Sequence, residues 1–206
     1  AARLRRPWLP CATGAEACGA CAEFSLFGRS VWVYRPESTG WSPGTPLPVV
    51  IVLHGSYDCP LSIAKASNFQ AVAEEAQFLV VYPEMSMARG ADWGYGSAAE
   101  AAFFGGLVDL LGFEYAVDRE QVYVCGHSAG GTMALFLQNS NPGVYRAAAA
   151  VEAGVSGLDR LWDKQSVGRP VAVFWNHNDD VLQERGGPML YRRTLRWILG
   201  EDPVVS

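Results

Sequence analysis

Val122-Tyr123-Val124-Cys125-Gly126-His127-Ser128-Ala129-Gly130-Gly131 decides how this chain is read. A β-rich run from Gln121 to Cys125 stops at Gly126, and a helix-compatible run from Thr132 to Gln138 follows. G-x-S-x-G between a strand and a helix is the pattern of a nucleophile elbow, a tight turn that lifts the Ser128 hydroxyl above the sheet edge. The serine in such a turn takes an unfavourable backbone angle. A side chain at position 126 or 130 would collide across it. The helix that follows points its N-terminal N–H groups at the site, which favours a developing oxyanion. The bare motif also arises by chance; the flanking strand and helix set this one apart from a structural Gly/Ser turn.

Working outward, composition bounds the rest. The 206 residues are 50% hydrophobic and 18% charged, so the chain is globular and long enough for one real core. A net charge of -5 leaves no electrostatic footprint for nucleic acid or an anionic membrane. No apolar run reaches the ~18 residues that span a bilayer. The chain opens Ala1-Ala2-Arg3-Leu4-Arg5-Arg6 without a signal-peptide pattern, as a processed chain would.

Three of the five cysteines crowd the first 21 residues, a stretch with little core-forming pattern. Disulfides among Cys11, Cys18, Cys21 and Cys59 are expected, and with them secretion or another oxidising compartment. Zinc at Cys18-Gly19-Ala20-Cys21 is the weaker alternative, because no second C-x-x-C or histidine pair accompanies it. Cys125 reads as a buried free thiol.

Residues 1–23 read as an irregular arm, and 24–206 as one domain. Phe24 to Tyr34 suits a strand, or a hairpin pinched at Gly28. Pro48 to Leu53 is a continuous apolar run of the kind buried on both faces of a parallel sheet, and it ends in His54-Gly55. The apolar spacing predicts helices over 62–77 and Ala98–Leu111, with a buried strand at Phe78–Tyr82 between them. After the elbow come a helix over Ala129–Asn139, strands at Ala147–Val151 and Val171–Trp175, and a closing helix over Met189–Leu199. This alternation implies an α/β fold with a mostly parallel sheet and helices on both faces. The working site then lies at the carboxyl ends of the strands, where His54-Gly55, Ser128 and the turn at Asp179 all fall.

These pieces resemble the α/β-hydrolase fold, and within it the family of polyhydroxybutyrate depolymerases and feruloyl esterases. The resemblance is carried by Leu53-His54-Gly55, Val80-Val81-Tyr82-Pro83-Glu84, Trp93, and Tyr115-Ala116-Val117-Asp118 followed by Gln121–Gly131. It covers roughly residues 24–200 and implies ester hydrolysis through an acyl-enzyme, with no cofactor and no metal. Ser128 is then the nucleophile. Ala129 N–H and a donor from Ser56 or Tyr57 form the oxyanion site, and Asp179, with Asp180 beside it, is the triad acid. The resemblance makes His54 part of a structural corner, and His127 reads as packing or orientation. Trp93, Tyr95 and Trp175 are candidates to line a pocket for an aromatic acyl group, under a loop at 84–96 whose glycines permit motion.

The family pattern also places a histidine after the acid, beyond one more strand. The only histidines here are His54, His127 and His177. The final strand and its histidine loop are therefore expected to be lacking. Three readings follow. The histidine is supplied by a segment or subunit outside these residues; or His177 serves as base; or the fold is catalytically inactive and serves as a structural or binding subunit with a protein partner. On the active readings the partner is a small-molecule or polymeric ester.

Overall fold

A computed structural model describes residues 18–37, 45–86, 92–154, 169–176 and 204–205. Eight strands form one sheet in the order β1-β2-β4-β3-β5-β6-β7-β8. β1 (Ala22–Leu26) and β2 (Arg29–Tyr34) are a hairpin, and β2 runs antiparallel to β4 (Leu79–Pro83). β3 (Leu47–Leu53), β5 (Val117–His127), β6 (Ala147–Val151) and β7 (Val171–Phe174) continue the sheet in parallel. Four helices are described: α1 (Pro60–Ser67), α2 (Phe69–Ala76), α3 (Ala98–Glu114) and α4 (Ala129–Ser140). Among the described residues, no helix is long and apolar enough to cross a membrane.

β3 shows why a continuous apolar run is needed at the centre. Val49, Ile51 and Leu53 join the core under α3 and α4, with Phe103, Leu107 and Met133. Val50 and Val52 face the other layer, with Leu61, Ala64 and Ala73 of α1 and α2. Apolar residues therefore meet apolar neighbours on both faces, as a strand central to a parallel sheet requires.

The hairpin form of the 24–34 reading is the correct one. Phe27 and Gly28 take φ of 49° and 75°, the two successive positive values that let a two-residue turn follow the strands' twist. The single helix expected over 62–77 is two helices. Asn68, at φ 49°, ends α1 and begins α2; asparagine tolerates that left-handed geometry better than most residues. β5 begins earlier than expected, at Val117. Its pairing with β3 shifts register between Leu47 and Val49, and Asp118 takes up the slack by accepting from Glu120 N–H (2.9 Å) and Gln121 Nε2 (2.7 Å).

The expectation that the final strand is lacking is corrected. Val204–Val205 forms β8, parallel to β7 in the register Ala172↔Val204 and Val173↔Val205. Two short β-branched residues were too small a signal to read as a strand without the neighbour they pair with. The closing helix expected at 189–199 lies outside the described residues. Cys18 and Cys21 are disulfide-bonded, as is Cys59. Cys125 is free, and burial pushes its thiol up to about 12.

Candidate active site

Ser128 sits between β5 and α4 at φ 52° and ψ -120°, a strained backbone for any residue but glycine. Its own N–H donates to Val151 O (2.9 Å), and its carbonyl accepts the first bond of α4, from Thr132 N–H (3.0 Å). Thr132 Oγ1 also donates to Gly154 O (2.6 Å), tying the first turn to the segment after β6. The turn is as crowded as the motif requires. A Cβ on Gly126 would strike the Gly130 backbone, and one on Gly130 would strike the carbonyls of Leu53 and His54. Gly131 has the same restriction against Ala153, whose Cβ would lie 2.7 Å away.

The end of β3 reaches this elbow. A Cβ built on Gly55 would lie 3.3 Å from Ser128 Cβ and 3.3 Å from His127 Nδ1. The loop carrying Ser56 and Tyr57 therefore starts against the nucleophile. Both residues are exposed, and Tyr57 has φ 62°. On the other side, the Ala129 N–H belongs to the first turn of α4, where a helix leaves its N–H groups without intrahelical acceptors. Tyr95 OH donates to Ala129 O (3.2 Å), holding that turn.

His54 is a structural corner. Its Nε2 accepts from Met85 N–H (3.1 Å), so Nδ1 carries the proton and donates to Gly55 O (2.9 Å). Its carbonyl accepts from Trp93 Nε1–H (3.0 Å). Burial pushes its pKa below the ordinary histidine value and keeps the ring neutral. Trp93 is fully buried against His54 and Phe104, at ring-centroid distances of 5.2 and 5.9 Å. The Trp93 indole thus braces the His54 corner from within the core, where its N–H has an acceptor. Tyr95 and Trp175 are half-buried and pack against the same core.

His177, Asp179 and Asp180 lie outside the described residues, so the elbow, the β3 corner and the Trp93–Tyr95 segment are what the structure brings together. Trp175 and Asn176 at the end of β7 bring the chain to the same carboxyl edge of the sheet. One group went unread in the sequence. Glu152, directly after β6, faces His127 with Oε2 3.2 Å from Nε2. The signal was there: one carboxylate interrupting Ala147–Ala153 at the carboxyl end of a strand. A cavity of about 420 Å³ on the α2 side of the sheet, walled by Val50, Phe69, Tyr123 and Cys125, does not include Ser128.

Residues 28–193 match the model of the family described as "Putative esterase". The chain is 29% identical over 157 residues to the bifunctional acetylxylan esterase/xylanase of Neocallimastix patriciarum, covering 75% of this chain and 22% of that protein. It is 28% identical over 149 residues to poly(3-hydroxyalkanoate) depolymerase C of Paucimonas lemoignei, covering 66% and 35%. It thus spans about a fifth to a third of the length of these relatives. Among solved structures, a ferulic acid esterase from Anaeromyces mucronatus superposes with a TM-score of 0.66 at 15% identity, over 90% of this chain and 81% of that one. An S-formylglutathione hydrolase from Staphylococcus aureus superposes at 0.67 and 15% identity, over 86% and 83%. At these identities the superpositions establish the α/β-hydrolase fold.

Proposed function

The chain belongs to this esterase family, and from that premise we propose that it is a serine carboxylic-ester hydrolase of the acetylxylan and feruloyl esterase type. The observation that carries the reading is the backbone of Ser128. A non-glycine residue held at φ 52° and ψ -120°, in a turn that admits no side chain at Gly126 or Gly130, is strain retained for a purpose.

In the proposed reaction a histidine base takes the Ser128 hydroxyl proton as Oγ attacks the ester carbonyl. The oxyanion receives N–H donors from Ala129 and from the Ser56–Tyr57 loop, each worth about 3–4 kcal/mol to the transition state. The base then protonates the leaving alcohol, and water attacking the acyl-enzyme releases the acid. Asp179 is the proposed carboxylate that orients the base. His54 is committed to Met85 and Gly55 and cannot serve. His177, two residues before Asp179, is the candidate base within these residues. Tyr95 and Trp175 are proposed to border the acyl group. The disulfide at Cys18–Cys21 fits an oxidising compartment.

The test is intact mass after exposure to a fluorophosphonate probe, with Ser128→Ala alongside. Labelling of the wild type alone, together with turnover of acetyl or feruloyl esters, is expected. No Ser128-dependent adduct and no turnover would overturn the reading and turn attention to a binding or structural role for the fold.

A further inference from the structure

We infer that Glu152 is a positioning residue for the oxyanion site, acting through His127 on Gly55; the inference rests on the esterase reading above. His127 is the residue before the nucleophile, and nothing in the proposed reaction uses it. Its Nε2 lies 3.2 Å from Glu152 Oε2, and the two side chains are 43% and 39% exposed. With Nε2–H donating to the carboxylate, the ring cannot turn freely, and its other edge is set against the end of β3. There a Cβ on Gly55 would lie 3.3 Å from both His127 Nδ1 and Ser128 Cβ. The imidazole therefore stands beside the serine against the peptide that leads into Ser56 and Tyr57.

Glu152 is itself placed at a cost. Its φ is 48°, a left-handed value that a residue with a Cβ seldom adopts. Its N–H is held by Phe174 O at 2.8 Å, while Val151 O holds Ser128 N–H at 2.9 Å. The ends of β5, β6 and β7 are thus joined around the elbow, and the Glu152 side chain extends that frame through His127 to the end of β3. A serine site is sensitive to this. An oxyanion donor acts only when it is preset 2.7–3.1 Å from the developing charge. Gly55 is fixed twice, by His54 Nδ1–H on its carbonyl at 2.9 Å and by the His127 ring and Ser128 against the place a Cβ would take.

The experiment is fluorophosphonate labelling, resolved into reversible affinity and maximal rate. Labelling forms the Ser128 Oγ–P bond and expels fluoride, and the phosphonyl oxygen takes the place of the oxyanion. The maximal rate therefore reports donor placement, which a merely structural residue would not move selectively. Glu152→Ala and His127→Phe are expected to slow the maximal rate about tenfold with affinity unchanged, a fraction of what a fully misplaced group costs. Glu152→Gln and His127→Gln keep an acceptor at 152 and a donor at 127, and are expected within about twofold of wild type. Glu152→Asp keeps the charge but shortens the arm, and carries the alanine expectation should the alanine variant not fold. Truncations that label at the wild-type rate, or glutamine variants as slow as the truncations, would overturn the positioning role alone. A wild type that does not label removes the esterase reading and this role with it.

Discussion

Glu100→Ala isolates the largest buried electrostatic commitment in the described residues. Arg29, at the start of β2, makes a two-pronged pair with Glu100 of α3 at 2.9 and 2.7 Å. The side chains are 10% and 2% exposed, and the guanidinium carbon stands 4.2 Å above the Phe103 ring. Removing the carboxylate strands a cation in the core, which costs about 3–5 kcal/mol when a buried pair is broken from one side. The lower end, about 3 kcal/mol, is expected here. The Phe103 contact survives and recovers part of the loss, and Arg29 can lift its head toward water. Replacing both partners with apolar residues, Arg29→Met with Glu100→Leu, removes the desolvation of two charges together with their attraction. That double variant is expected within about 1 kcal/mol of wild type. Urea unfolding of the wild type and these two variants measures this directly. A Glu100→Ala loss below about 1 kcal/mol, or a double variant as unstable as the single one, would refute the view that the pair is held as a desolvated unit.

Three further outcomes are expected. Ser128→Gly should be more stable than Ser128→Ala by about 1 kcal/mol, because only glycine relieves the strained backbone; equal melting temperatures would contradict the strain. His54 contributes stability that is complete above its unfolded pKa of about 6.5 and lost as pH falls from there toward its depressed folded value, because the unfolded state binds the proton more readily. Thermal melts from pH 7.5 to 5 should therefore fall more steeply for wild type than for His54→Asn. Gly130→Ala should abolish fluorophosphonate labelling and lower the melting temperature, since its methyl group meets the Leu53 and His54 carbonyls, which cannot move without disturbing β3.

The site was legible where its chemistry is local. G-H-S-A-G prescribes its own turn, and a Cβ at either outer glycine meets backbone in the structure. The bracing role of Trp93 was not legible, because its N–H closes on a carbonyl 39 positions away. Glu152 was missed for a related reason. Its partner is 25 residues distant and becomes a neighbour only when β5 and β6 pair.

Ser97-Ala98-Ala99-Glu100 marks the same boundary within four residues. Ser97 caps α3 locally by accepting from Glu100 N–H at 3.2 Å, a bond between residues three apart. Periodicity and glycine placement likewise determined the α/β alternation, the elbow and the edge of the sheet where Ser128 stands. These depend on backbone sterics and on which face of each element is apolar, and both are written in adjacent residues. Tertiary structure alone decided that the Glu100 carboxylate leaves its helix terminus for Arg29, that His54 is held neutral between Met85 and Gly55, and that two residues at 204–205 make a strand. Each of those depends on groups far apart in the chain, whose energies exist only once water has been excluded between them.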